Sequence, residues 1–322
     1  MSTPVVFTNG SLRNAVELFL NNPVEAIQKY GPIEDWDVSE VTNMSKLFCG
    51  ATNFNEPIGN WDVSNVTNMA GMFHGAKSFN QPIGLWRTNN VTTMASMFHE
   101  AKSFNQPIGN WRTFNVTNMS HMFDEAISFN QPIGLWRTFK VTNMSYMFHY
   151  AWEFNQPIGN WKTDKVTDMS YMFCGIKVFN QNISNWNTSK VTNMSYMFLG
   201  CIMFNQPIGR WNTLNVTNMD SMFSYAEVFN QPIGTWNTSK VRDMSLMFIA
   251  CKEFKQDIHE WDISNVYSMR QMFEQTEFDK NNILGWNLEE IRNSTSKKDT
   301  WCMFAPKSMQ ETLEDMFNQN YM

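Results

Sequence analysis

Apolar positions return every 25 residues along most of this chain. Trp36, Trp61 and Trp86 begin a series that keeps this spacing through Trp286, and Phe54, Phe79 and Phe104 begin another that runs through Phe254. Counted from its Trp, the unit reads W-x-[VT]-x-x-V-T-N-M-S-x-M-F-x-x-A-x-x-F-N-Q-P-I-G-x. Ten units run from Trp36 to Gly285, and a decayed eleventh starts at Trp286. A period of this length predicts a repeat solenoid, in which no unit buries its apolar face alone and stacked neighbours build a continuous core. Within the unit, Trp alternates with Val or Thr around PIGxWxT, which predicts a short parallel β-strand there. In MSxMFxxA the apolar residues fall at i, i+3, i+4 and i+7, as in Met119, Met122, Phe123 and Ala126. That spacing predicts a helical or 3₁₀-like turn opposite the strand. The Gly of PIG is expected to let the chain turn closely before the Trp.

Parallel strands stacked at ~4.8 Å place like side chains above like. The asparagines of VTNM and FNQP are therefore expected to form polar ladders that bond turn backbones along the stack. Helical caps are predicted at both ends of the array. Before it, residues 1–35 carry a helical pattern opened by Ser11 (Leu12, Ala15, Val16, Phe19) and a second short helix starting at Asn22-Pro23. The array itself occupies residues 36–291, and residues 292–322 form the other cap, with Ser308 and Glu311 at capping-box spacing.

Bulk properties then narrow the class. No apolar run approaches the ~18 residues of a membrane helix, so no membrane insertion is expected. The N-terminus has no basic n-region, and Arg13, Asn14 and Glu17 interrupt its apolar stretch. An intracellular or virion-associated protein is thus expected in preference to a secreted one. The five cysteines form no CxxC pair and read as reduced fillers. A net charge of −6 argues against nucleic acid as a partner. The charge is uneven: residues 86–210 carry ten Lys/Arg against six Asp/Glu, whereas residues 1–61 carry three against seven.

The unit WDVSNVTNMAGMFHGAKSFNQPIGLW (61–86) resembles the BspA-like leucine-rich-repeat surface proteins, in their methionine-rich, 25-residue, mycoplasma-type lipoprotein subtype. The resemblance spans about 250 of the 322 residues. It implies a leucine-rich-repeat-like solenoid with a short parallel sheet on one face, used for adhesion or protein–protein interaction and without enzymatic activity. It supplies no ligand, cofactor or catalytic residue to carry over.

Because core positions repeat, function is sought where rows vary. The residue after each Trp is basic in four successive units, Arg87, Arg112, Arg137 and Lys162. Phe114 and Phe139 lie two positions beyond it, Leu85 and Leu135 one position before the Trp, and Lys140 and Lys165 make a second basic row. Grouped basic and aromatic residues suit a binding hot spot, which places a protein-binding face on the third to sixth units; a solvated face is the plainer alternative. His74, His99 and His149 share one row with Asp124, beside Glu100 and Glu125, but the row closes no tetrahedral set, so no metal is expected. Tyr146, Tyr171 and Tyr196 stack as a ladder that could meet a sugar, a protein or only one another. Two threonine files, one through Thr88, Thr113 and Thr138 and another through Thr67, Thr92 and Thr117, raise a flat crystal-binding surface. No glycine-rich phosphate loop, GxSxG or HExxH occurs, so the chain is not expected to be an enzyme. The function expected is a non-catalytic protein–protein interaction scaffold, with an adhesin for glycan or host protein as the alternative.

Overall fold

The computed structural model describes residues 5–284 and Trp286; the expected C-terminal cap lies outside them. Helix α1 spans Asn9–Asn21 and α2 spans Pro23–Tyr30. The cap of α1 is Thr8 rather than Ser11: Thr8 accepts from the Ser11 N–H, and the Ser11 hydroxyl accepts from the Thr8 N–H, a reciprocal capping box. Asn22 caps α2 by accepting from the Glu25 N–H, with Pro23 at the first helical position where no intrahelical donor is needed. The apolar stripe of α1 is buried, and rings from this segment close the first unit: Phe7, Phe19 and Tyr30 lie 5.0, 6.0 and 5.9 Å from Trp36. Without them the outer side of Trp36 would face water.

Each unit lies on the next in parallel register. Single-residue bridges join Asn43 to Asn68, Asn68 to Thr93 and so on to Asp243 and Ser268, always between the VTNM asparagine position of neighbouring units. The pairing therefore falls about seven residues beyond the Trp, and not on the PIGxWxT segment. That segment keeps the alternation expected of it: Leu85 and Arg87 are exposed while Trp86 and Thr88 are buried. Its one bridge is to the N-terminal segment, from Val6 to Asp37; between units its bonds run through side chains. Thr88, Thr113 and Thr138 donate from their hydroxyls to the carbonyls of Arg112, Arg137 and Lys162 one unit on, at 3.2, 3.2 and 2.9 Å. This threonine file is buried, so only the second file reaches the surface and no paired-file crystal-binding face exists.

The MSxMFxxA segment is not helical. Met122 donates to Met119 O, Asp124 to His121 O and Ala126 to Phe123 O, giving three overlapping four-residue turns. The intervening donors point the other way: Met119, His121, Phe123 and Glu125 donate to Asn143, Ser145, Met147 and His149 of the next unit. Every second N–H closes a turn and every other one bonds the stack, so all are satisfied. Such alternation needs left-handed residues at the third place of the first and third turns, as a type II turn requires. His121 and Glu125 have φ of 55° and 56°, and the same two positions are left-handed in all ten units. Glycine fills only Gly71 in the first of these rows and Gly50, Gly75, Gly175 and Gly200 in the second. None of the other fifteen residues is β-branched, the class least able to tolerate positive φ.

A left-handed conformation costs a non-glycine residue ~1–2 kcal/mol, partly offset by glycine's greater entropy when unfolded. Ala250→Gly is thus expected to stabilise the protein by roughly 0.5–1 kcal/mol, the reverse of its effect in a helix. Ala250 has φ 57°, and urea melts of the two proteins check the sign. Ala250→Val is the opposing control and should destabilise.

The interior is a set of ring files. Phe123 stacks on Phe129 at 3.9 Å within its unit and on Phe98 and Phe148 at 5.6 Å each across units. Trp111 and Trp136 are parallel to within 2° at 6.4 Å. From Trp61 to Trp286 each indole N–H bonds the carbonyl 28 residues earlier in the chain, as in Trp136 Nε1–H to Ile108 O at 3.1 Å. Of the two expected asparagine ladders, the FNQP file forms: Asn105 N–H donates to Asn80 Oδ1 at 2.9 Å and Asn130 N–H to Asn105 Oδ1 at 3.0 Å, while Gln106 and Gln131 bond the same oxygens. The VTNM asparagines instead turn their Oδ1 onto their own unit, as Asn118 does in accepting from the Ser120 N–H, and only their backbones bridge the stack. The free cysteines Cys174, Cys201 and Cys251 are buried, and their thiols are pushed up in pKa by burial.

Candidate functional site

Two variable regions stand out against this repeated frame, and they share the same units. The first is the basic row. Arg87, Arg112, Arg137 and Lys162 are exposed, each joined to the next coil through the threonine hydroxyls beside them. Leu85 and Leu135 flank the row and are 91% and 83% exposed, large values for leucine. Phe139 and Lys165 are also exposed, whereas Phe114 is half-buried. Lys140 is half-buried and held, its Nζ donating to Asn115 Oδ1 at 2.7 Å. The ten residues singled out from sequence thus lie on one run of units, with Phe114 and Lys140 less available than the others. Among the described residues Arg112, Arg137, Lys162 and Lys165 form no ion pair.

The structure shows what these cations replace. In the other units this position is Asp or Asn, and its Oδ1 accepts from the N–H two residues on. Asp37 bonds Ser39, Asp62 bonds Ser64, Asn187 bonds Ser189, Asn212 bonds Leu214, Asn237 bonds Ser239 and Asp262 bonds Ser264, all at 2.9–3.1 Å. This is an Asx turn, a local lock on the backbone. Arg and Lys carry no acceptor and cannot make it. Four consecutive units therefore give up a stabilising bond of about 1 kcal/mol each and show a cation instead.

The second region is a histidine–carboxylate cluster. Asp124 is buried, its side chain 6% exposed. Its Oδ1 lies 2.7 Å from His149 Nδ1, and its Oδ2 lies 2.8 Å from His121 Nδ1 and 3.5 Å from His99 Nε2. Burial pushes the Asp124 pKa up, but the hydrogen bonds from His121 and His149 outweigh it and hold the group below its ordinary value. Burial lowers the His99 pKa despite the nearby Asp124 carboxylate. His74 stacks on His99 at 4.3 Å, and Glu100 Oε1 lies 3.8 Å from His99 Nε2. His121 belongs to a different sequence row from the other histidines. Its left-handed backbone turns its ring onto Asp124 three residues on, and that conformation leaves no mark in the spacing of histidines.

On the far side His121 continues into the tyrosine ladder. His121, Tyr146, Tyr171 and Tyr196 stack at 4.4, 4.3 and 4.3 Å. Burial raises the pKa of all three phenols. Each inner ring covers the face of its neighbour, so the ladder offers edges to solvent. The cavity found beside α1, about 260 Å³, is lined by Arg13, Val16, Glu17, Leu20, Asn21 and Leu47, away from both regions.

Near-identical units hydrogen-bonded in register define a tandem-repeat protein. The family model described as "Mycoplasma protein of unknown function, DUF285" matches residues 16–134, 106–208, 152–244 and 195–314, and the chain belongs to that family. No curated protein matches the chain. A solved structure, "Crystal structure of TLR13-ssRNA13 complex", is similar at 8% identity with a TM-score of 0.19, over 85% of this chain and 53% of that one. A likeness that slight carries no argument about fold or ligand, and this chain spans only about half of that one.

Proposed function

We propose that the chain is a non-catalytic protein–protein interaction scaffold of the BspA-like, leucine-rich-repeat-like solenoid kind, which presents its third to sixth units to an acidic protein partner. The observation that carries this reading is the loss of the Asx turn in four successive units. A structural bond made at this position in the other six units is absent where Arg87, Arg112, Arg137 and Lys162 stand. Drift among solvated residues would scatter such losses; here they are contiguous and of one charge. Leu85 and Leu135 add apolar area beside the cations, the mixture expected where a contact buries its centre and keeps charge at its rim. The alternative of a glycan-binding adhesin is less well supported, because sugars dock on aromatic faces. Those of the tryptophan series are buried and the tyrosine ladder covers its own, which leaves Phe139, Trp152 and Tyr267 as the most exposed rings among the described residues.

The double substitution Arg112→Asp/Arg137→Asp tests the proposal. Asp is the residue at this position in the first, second and tenth units, so the variant regains two Asx turns and is expected to be more stable by about 1 kcal/mol or more. Proteins captured by the wild type from native cells should include acidic ones released by moderate salt, and the variant should lose them. An unchanged set of captured proteins from a variant of equal or greater stability would remove this face from consideration.

A further inference from the structure

We infer that His99, His121 and Asp124 form a binding site for a single zinc ion, with His149 as the outer partner that fixes the carboxylate. Two imidazole nitrogens and one carboxylate oxygen are the ligand types zinc takes from proteins, and three protein ligands leave a fourth position for water or a partner's side chain. The three donor atoms already lie within 4.8 Å of one another. Zinc bonds of ~2.0–2.1 Å in a tetrahedron place ligand atoms roughly 3.3 Å apart. The His99 Nε2 to Asp124 Oδ2 separation of 3.5 Å already fits that value. His121 Nδ1, at 2.8 Å from the same oxygen, needs to withdraw by about half an ångström. Binding would replace the His121 hydrogen bond with two metal bonds to one centre.

The surroundings are organised as an ion site requires. A ligating carboxylate is normally held by a further hydrogen bond on its other oxygen, and His149 Nδ1 sits 2.7 Å from Asp124 Oδ1. His99 is braced by the His74 ring at 4.3 Å, and His121 by the Tyr146 ring at 4.4 Å. A second grouping, His74, His99 and Glu100, shares His99 but lacks a buried member, so it ranks below the first. His99 belongs to the unit that starts at Trp86, His121 and Asp124 to the next, and His149 to the one after. An ion here would therefore clip adjacent coils together in the same units that carry the basic row.

Isothermal titration of the full chain with zinc chloride, after chelator treatment, tests the assignment. The wild type should bind one equivalent more than the His121→Gln/Asp124→Asn variant, whose fold is checked by near-ultraviolet circular dichroism of its tryptophans. His149→Gln should keep the site and weaken it ~10–100-fold, as loss of an outer-shell partner does. Equal stoichiometry and affinity in the wild type and the double variant would overturn the inference, as would the absence of any binding. Should the double variant fail to fold, cobalt substitution in the wild type decides. A tetrahedral visible spectrum without a thiolate charge-transfer band supports the site, and a thiolate band places the ion on cysteine and refutes it.

Discussion

Gly109→Ala is expected to destabilise the protein by about 3 kcal/mol, the upper range for forcing extra volume into a packed interior. A methyl group at Gly109 would lie 2.4 Å from the carbonyl oxygen of Pro132 in the next unit. The same clash recurs along the row, with 2.4 Å at Gly59, 2.3 Å at Gly84, 2.5 Å at Gly134 and 2.2 Å at Gly209. The obstacle is backbone, held between Asn130, whose N–H bonds Asn105 Oδ1, and Ile133, whose carbonyl accepts from Trp161 Nε1–H, so it has no rotamer through which to yield. Nor is the cause conformational, because none of these glycines has positive φ. The turn expected of this glycine is thus not its reason; the close approach of the following unit is. Ser184, in the sixth unit, occupies the same row. The reverse change Ser184→Gly should therefore raise stability, and a fall would mean that the stack adjusts locally. Chemical denaturation followed by tryptophan fluorescence reads both variants.

Phe123→Ala is expected to cost ~3–5 kcal/mol, the range for removing a large buried ring. Phe123 touches rings on four sides: Phe129 in its own unit, Phe98 and Phe148 across units, and Trp136 at 6.1 Å. Collapse into the cavity is opposed by the turn bonds on both sides, since the Phe123 N–H is tied to Met147 O and its carbonyl to the Ala126 N–H. The position in the array adds a second effect. In a stack held by nearest-neighbour contacts, a weakened central interface divides the chain into two cooperative blocks. The variant should therefore melt in two steps, the wild type in one. Phe273→Ala, near the other end, should cost less and leave a single main transition, because fewer units lie beyond it. A single, unshifted transition for Phe123→Ala would show that the ring file contributes little.

The candidate site was legible in part. Arg87, Arg112, Arg137 and Lys162 stand out in any alignment of the units, and the structure finds them exposed in one file. Their significance was not legible, because it rests on the bond Asp62 makes to Ser64 and Arg87 cannot. His99, His149 and Asp124 were visible as a row, but His121 joins them only through a left-handed backbone at a position where other units carry Lys, Gly, Ser, Tyr, Leu or Gln. No residue type marks that conformation.

By itself the sequence determined the 25-residue period, which large apolar side chains face inward, where α2 begins and that the FNQP amides form a ladder. These follow from burial and capping, which act on side-chain identity at fixed spacing. Only the tertiary structure decided where neighbouring units bridge, what a side chain at the PIG glycine would meet, and that MSxMFxxA is a run of turns with alternate left-handed residues. The apolar spacing of Met119, Met122, Phe123 and Ala126 fits a helical turn equally well. What excludes the helix is the neighbouring unit, whose carbonyls take every second N–H, and backbone partners are alike in every residue and leave no trace in the sequence.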